Sequence, residues 1–127
     1  MDQKKYKKAY SQRVRKANPY LIWAQYTIYH HNQKGHSCCF TPEELVKKIT
    51  PNCEICGTVL IWTHKKTGHT SPTLDRMDNG KILTLDNVQI LCRRCNVTKH
   101  DRTQDEFEDY CRMVVQRAAT RDQTGRA

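Results

Sequence analysis

Four cysteines in two Cys-x-x-Cys pairs are the residues of this chain best suited to chemistry. Cys53 and Cys56 form the first pair, and Cys92 and Cys95 form the second. Two such pairs supply the four thiolates of a tetrahedral zinc site, with zinc–sulfur distances of about 2.3 Å. Gly57, directly after the first pair, allows the tight turn that such a site needs. Structural disulfides or a redox-active pair are the competing interpretations, and we favour zinc because the two pairs match.

Carboxylate, amide and guanidinium side chains lie between and just after the cysteine pairs. Asp75 and Arg76 are adjacent, Asn87 precedes the apolar run 88–91, and Asn96 follows Cys95 directly. Carboxylate and amide oxygens are hard ligands that suit Mg²⁺. A cation at a phosphodiester stabilises the charge that develops during hydrolysis. The cysteine pair would also set the start of the helix that carries Asn96.

In this order, the segment resembles the HNH (His-Me finger, ββα-metal) endonuclease family. That family has an Asp-His on one strand, an Asn that opens a second strand, and a metal ligand in the following helix. Asp75, Asn87 and Asn96 match this pattern, whereas Arg76 replaces the usual general-base histidine. The same replacement marks an Arg-type subgroup of small phage proteins and rare-cutting restriction enzymes. The resemblance extends over residues 20–107.

The resemblance implies an α+β fold, a small zinc-stapled ββα-metal (HNH) finger with flanking helices. It implies that Asp75 and Asn96 bind a catalytic Mg²⁺ or Mn²⁺, and that His36 completes the shell. His100, one helical turn after Asn96, competes with His36 for this role, but we favour a phosphate-contacting surface role for it. For Asp75, the structural alternative is an ion pair with Arg76 or Arg93.

Arg76 and Asn87 are the predicted catalytic residues. Arginine stays protonated and accepts no hydrogen bond, so Arg76 would orient the phosphate and stabilise its charge instead of taking a proton. The proton would then pass to a phosphate oxygen or to solvent, with His69 as a remote alternative base. Asn87 would orient Arg76 or brace the loop, and simple closure of a turn is the alternative. The subgroup usually has Gly-Tyr where this chain has Ile82-Leu83, which lowers the expected activity.

The composition favours a nucleic-acid partner. The formal net charge is +9, and only 37% of the residues are hydrophobic, so the small core needs a staple such as zinc. Residues 1–17 are predicted to be a basic arm along the phosphate backbone or, alternatively, a solvated tail. Four basic residues around the short helix are predicted phosphate contacts: Arg93, Arg94, Lys99 and Arg102.

The chain divides into three predicted parts: a basic arm (1–17), a nuclease domain (18–116) and a flexible tail (117–127). Caps and periodicity predict helices over 18–33 and 42–49 and a closing helix from residue 103. Strands are predicted over 73–77 and 88–91, a β-prone segment over 58–62, and a short helix over 95–100. The apolar face of the closing helix, with Phe107 and Val114, is either core or interface, which leaves a homodimer open.

Targeting signals are absent from the sequence pattern. No apolar h-region follows the N-terminus, and no run is long enough to span a membrane. Three of the seven cysteines lie outside the pairs, and we expect them to be small buried thiols. These features predict a cytoplasmic protein in a reducing cell, with a phage or bacterial context open.

The sequence therefore predicts a metal-dependent DNA endonuclease with a structural zinc. The alternative is a zinc-stapled nucleic-acid-binding module that is catalytically weak or inactive, because the usual base is missing. An RNA-binding zinc ribbon is a third interpretation. The sequence does not predict which DNA sequence is recognised, or whether one strand or both strands are cut.

Overall fold

The computed structural model describes residues 2–5, 18–62 and 67–123. Most of the predicted basic arm, residues 6–17, and the end of the predicted tail, residues 124–127, lie outside the described residues.

Two helices open the described domain, and both begin at the predicted caps. Helix α1 spans Pro19–Gln33, and the Asn18 side chain accepts a hydrogen bond from the Leu21 amide at 3.1 Å. The chain leaves α1 through Gly35, which has a φ of +83° that glycine adopts easily. Helix α2 spans Pro42–Val46 behind a complete capping box at Thr41.

Helix α2 is shorter than predicted. The predicted end was residue 49, but the amides of Lys48 and Ile49 bond three residues back, to Leu45 and Val46, at 3.0 and 3.1 Å. Such tight turns end an α-helix because they break its four-residue bonding pattern.

Two antiparallel strands form the sheet. Strand β1 spans Pro72–Arg76 and strand β2 spans Val88–Cys92, each within one residue of the prediction. The register pairs Asp75 with Gln89. The predicted β-prone segment 58–62 forms no strand within its described residues, and contributes one isolated bridge between Asn52 and Val59.

Helix α3 spans Arg93–Lys99 and therefore begins two residues before its predicted start. Its first turn is stabilised by the Cys92 sulfur, which accepts a hydrogen bond from the Cys95 amide at 3.4 Å. Helix α4 spans Gln104–Gln123 and begins where Thr103 caps it.

The predicted flexible tail from residue 117 begins as helix. Residues 117–123 continue α4, and this stretch contains neither glycine nor proline to end the helix.

Two small apolar clusters form the core, and Trp23 packs against both. The first surrounds Leu45, Leu74 and Val88, and the second surrounds Ile90 and the cysteines. The Trp23 indole also donates a hydrogen bond to the Pro72 carbonyl at 3.1 Å. Helix α1 is thereby attached to the start of β1, so its C-terminal end is held near the hairpin. The predicted α+β fold is confirmed.

None of the helices among the described residues is both long and apolar enough to cross a bilayer.

Candidate functional site

The four predicted zinc ligands form one cluster. Their sulfur atoms all lie within 4.8 Å of one another, and the Cys56 and Cys92 sulfurs are 3.7 Å apart. Four thiolates at about 2.3 Å from a tetrahedral centre would be separated by about 3.8 Å. A disulfide would hold two sulfurs at about 2.05 Å, and all four thiols are free. The geometry therefore fits a metal ion and not the disulfide interpretation.

Electrostatics in the cluster also favour a cation. Burial raises the pKa of the Cys53 thiol, but hydrogen bonds from the backbone of Cys56, Cys92 and Ile55 outweigh it and lower the pKa to about 7. Burial and the neighbouring thiols of Cys56 and Cys92 raise the pKa of Cys95. The Cys53 thiolate is thus favoured near neutral pH, and a positive ion would favour ionisation of Cys95 beside it.

A second candidate site is a cavity of about 320 Å³ beside the hairpin. It brings together side chains from α1, the following loop, β1, α3 and the residues after α3. Five of the predicted site residues line it, together with one histidine that was not predicted. These six are His31, His36, Asp75, Arg76, Asn96 and His100.

Asp75 is only 5% exposed and is held by two neighbours. Its carboxylate accepts the Lys99 ammonium at 3.0 Å and the Gln89 amide at 3.0 Å. As the structural alternative, Asp75 was expected to pair with Arg76 or Arg93. Its partner is instead Lys99. A carboxylate offers about four acceptor positions, so these contacts leave room for a further ligand.

The prediction that Lys99 contacts phosphate is wrong. Its side chain is 0% exposed, because it points into the hairpin, where it also donates to the Arg76 carbonyl at 2.9 Å. Lys99 therefore fixes both Asp75 and the backbone of Arg76. The inward direction of Lys99 could have been predicted from helical spacing, since Lys99 is one turn after Cys95 and Asn96 and lies on the same side of α3. Gln89, which links Asp75 to Gln104, was missed because nothing in its local sequence marks it.

The Asn96 amide is oriented by β1. Its nitrogen donates to the Thr73 hydroxyl at 2.9 Å and to the Leu74 carbonyl at 3.3 Å. A carbonyl can only accept, so the nitrogen must face β1, and the amide oxygen is the atom left for a ligand. Asp75 and Asn96 were expected to lie together, and both line this cavity.

Asn87 does not line the cavity, and its contacts lie in the loop between the strands. Its buried side chain accepts from the Asp78 amide at 3.0 Å and donates to the carbonyls of Asp78 and Ile82, both at 3.0 Å. Arg76 donates to the Lys81 carbonyl in this same loop at 3.4 Å. Asn87 therefore braces the loop that Arg76 contacts, the second of the two roles proposed for it.

The remaining predicted phosphate contacts differ in their surroundings. Arg93 and Arg94 are exposed at the start of α3. Arg102 is half-buried, donates to the Thr98 carbonyl at 3.0 Å and lies 5.1 Å from the centre of the Tyr110 ring. Arg102 therefore caps the end of α3, and this contact competes with phosphate binding.

Two further histidines bear on the site. His100 lines the cavity with a φ of +55°, the one positive φ among the described non-glycine residues, and such strain is often kept at functional sites. His69, the remote alternative base, does not line the cavity.

The three cysteines outside the pairs are less buried than expected. Cys38 is half-buried, while Cys39 and Cys111 are exposed, because Cys39 lies in a surface loop and Cys111 on α4, which is mostly solvent-exposed.

Across the described ranges, the cysteine cluster is the one group of three or more His, Cys, Asp or Glu side chains close enough to share an ion. Mg²⁺ keeps several waters and needs only one or two protein oxygens. The carboxylate of Asp75 and the amide oxygen of Asn96 therefore suit a hard cation, whereas a closed cage of acidic or histidine ligands is not formed here.

Comparison with known proteins identifies the segment that contains the cysteine cluster and most of the cavity residues. Residues 53–102, which are 50 of the 127 residues, match the family model described as HNH endonuclease. No curated protein and no solved structure is similar enough to the chain to count as a match. The match includes both cysteine pairs, the hairpin and α3, as the resemblance predicted. Over residues 53–102 the chain is therefore similar to the HNH endonuclease family.

Proposed function

We propose that this protein is a metal-dependent DNA endonuclease that hydrolyses phosphodiester bonds. The observation that carries the proposal is the single cavity where Asp75, Arg76 and Asn96 meet His36. Asp75, Arg76 and Asn96 lie within the segment that matches a nuclease family, and His36 comes from the loop after α1. We place the functional domain at residues 18–116, between the basic arm and the end of α4.

The ligands for a catalytic Mg²⁺ or Mn²⁺ would be Asp75 and Asn96, with His36 at the edge of the cavity. When bound, such an ion polarises the phosphate and stabilises the leaving oxygen. The protein prepares this site in advance, since Lys99 holds the Asp75 carboxylate and β1 holds the Asn96 amide.

Arg76 would bind the scissile phosphate. Its side chain is half-buried at the cavity wall, and its backbone is held by Lys99. A guanidinium forms forked hydrogen bonds with phosphate oxygens, which aligns the phosphate and stabilises the charge of the transition state.

The cysteine cluster would hold a structural Zn²⁺. Cys92 ends β2 and caps α3, and Cys95 lies one residue before Asn96. An ion bound by these thiolates would fix the angle between the hairpin and α3, and thereby the position of Asn96 relative to Asp75.

The alternative function is a zinc-stapled nucleic-acid-binding module without useful hydrolysis. The observation that favours it is the engagement of Asp75 by Lys99 and Gln89, in a centre where arginine stands in place of the usual base.

Plasmid relaxation separates the two functions. Supercoiled DNA is incubated with Mg²⁺ and either the wild type, Asp75→Asn, Asn96→Ala or the control Asp86→Asn. Asp86 is exposed and lies away from the cavity. We expect nicking by the wild type and the control, and little by the other two variants. DNA retention without nicking by the wild type would support the binding module, and retention of RNA in preference to DNA would support the ribbon interpretation.

We also propose that two copies of the chain pair through α4. Only Phe107 is buried on this helix, whereas Tyr110 and Val114 on the same face are 47% and 46% exposed. The start of α4 is acidic at 105, 106, 108 and 109, whereas its later part carries basic residues at 112, 117 and 121 and one acidic residue at 122. Antiparallel pairing of two α4 helices would bring opposite charges together and cover the apolar face.

Light scattering tests this pairing. We expect a dimer for the wild type and a monomer for Val114→Glu, while Thr120→Glu, elsewhere on α4, stays dimeric. A monomeric wild type would overturn the pairing, and a change in the exposure of α4 on deletion of residues 1–17 would identify the arm as its cover instead.

A further inference from the structure

The proposed reaction needs a proton acceptor, and Arg76 cannot be one. An arginine side chain has no lone pair to offer at neutral pH. A water that attacks phosphorus must lose a proton, and a positioned base typically accelerates such a step by about 10²–10⁴-fold. The acceptor should therefore be sought among the other groups of the cavity.

His31 lines the cavity from the last turn of α1. Its ring nitrogen Nδ1 lies 2.8 Å from the Thr27 carbonyl oxygen. A carbonyl oxygen can only accept a hydrogen bond, so Nδ1 carries the hydrogen. In the neutral ring, Nε2 is then the atom with the lone pair, and within the described residues it has no hydrogen-bond partner.

Several contacts hold the His31 ring in place. The ring is half-buried and is tied to the carbonyl one turn earlier on its own helix. That helix is anchored to β1 by the hydrogen bond from Trp23 to Pro72, and its own residue Ala24 is fully buried. The His31 carbonyl also accepts from the His36 amide at 2.9 Å. Helix α1 therefore brings His31 to the strand that carries Asp75 and Arg76.

The other acceptors at the cavity are less suited to this task. His36 is exposed and is the proposed third ligand of the ion. His100 and Asp101 are exposed, and no hydrogen bond to another side chain or carbonyl orients the imidazole of His100 within the described part of the chain. His31 combines a cavity position with a ring whose protonated nitrogen is already engaged.

We propose that His31 is the general base of this centre, a role that rests on the proposed nuclease function. Nε2 takes a proton from the attacking water as the water oxygen bonds to phosphorus. The bond from phosphorus to the bridging oxygen breaks, and the leaving oxygen takes a proton from solvent. The His31 imidazolium then returns its proton to water. Arg76 binds the phosphate throughout.

Chemical rescue tests the role directly. Nicking is compared for the wild type, His31→Ala, His31→Gln and the control His30→Ala. His30 packs against the Tyr26 ring, with ring centres 4.1 Å apart, and does not line the cavity. We expect both His31 variants to lose about 10²-fold or more of the nicking rate. Added imidazole should restore part of the rate in His31→Ala and should leave the other proteins unchanged.

A second measurement does not depend on activity. Long-range proton–nitrogen NMR correlations of the protein, without added Mg²⁺, should show His31 as the tautomer protonated on Nδ1. His31→Gln guards against misfolding, since its amide can still donate to Thr27 but cannot take the proton. The assignment is overturned if His31 is protonated on Nε2 alone, or if either variant nicks like the wild type. If the wild type does not nick at all, the proposed function itself fails, and the base assignment falls with it.

Discussion

The ammonium of Lys99 is the most constrained charge in the described part of the molecule. It is fully buried between the Asp75 carboxylate, at 3.0 Å, and the Arg76 carbonyl, at 2.9 Å. Burying two charges is costly, and removing one partner leaves the other unpaired. The pair therefore does more to hold the site residues in place than to add stability.

Replacing Lys99 by methionine should lower the free energy of unfolding by about 3–5 kcal/mol, because Asp75 would be left buried without its partner. Chemical denaturation monitored by circular dichroism measures this loss. Lys81→Met is the matched control, since the Lys81 side chain is 74% exposed and its ion pair should contribute under about 1 kcal/mol. The double variant Asp75→Asn, Lys99→Met should recover part of the loss, and equal losses for the double and single variants would contradict this account.

His100→Gly should raise the free energy of unfolding by about 1 kcal/mol. The φ of +55° and ψ of −126° at His100 are strained for a side chain with a Cβ and are accessible to glycine. The same denaturation measurement applies, and Thr98→Gly, inside α3, should instead lose about 1 kcal/mol. A less stable His100→Gly protein would mean that the imidazole makes stabilising contacts that outweigh the strain.

At the scale of the elements, α3 depends strongly on its surroundings. A helix of seven residues is not stable alone. It is held at its start by the cysteine cluster and by two amides, Arg93 to the Ser71 carbonyl at 2.8 Å and Arg94 to the His69 carbonyl at 3.2 Å. Because Asn96 and Lys99 both lie on α3, the order of the cavity depends on the cysteine cluster.

Cys95→Ser should therefore lose the bound metal and several kcal/mol of stability, since metal binding and folding are coupled in small domains of this kind. Metal content by mass spectrometry and thermal unfolding measure the two effects, and a strong chelator should reproduce them in the wild type. Cys111→Ser, an exposed thiol outside the cluster, should keep both metal and stability. A stable, metal-free Cys95→Ser protein would remove the structural role of the ion.

At the scale of the whole molecule, charge would govern the proposed interaction with nucleic acid. The net charge of +9 would attract a phosphate backbone, and Arg93 and Arg94 place exposed positive charge at the start of α3.

Removing both charges, as Arg93→Gln with Arg94→Gln, should weaken DNA binding. The fall of log affinity with log salt should also become less steep by about 2, since each phosphate contact contributes about 0.9 to the slope. Fluorescence anisotropy across a salt series measures this slope. Arg112→Gln is the control, because Arg112 already pairs with Asp109 at 2.7 Å on α4. Equal slopes for the double variant and the wild type would mean that Arg93 and Arg94 do not contact the DNA.

Local chemistry was readable from the sequence. Helix caps at Asn18 and Thr41, the hairpin and the two cysteine pairs depend on residues close in the chain or on fixed spacings, and each agrees with the structure. Asp75 and Asn96 were predicted from their motif, and both line the same cavity.

Partners distant in sequence were decided only by the tertiary structure. The burial of Lys99 against Asp75 follows from packing α3 on the hairpin, and the approach of His31 follows from docking α1 through Trp23. The sequence leaves the apolar face of α4 as either core or interface, because apolar periodicity does not specify which surface will cover it. In the structure Tyr110 and Val114 on this face are exposed. Such contacts join residues tens of positions apart, so no local pattern encodes them.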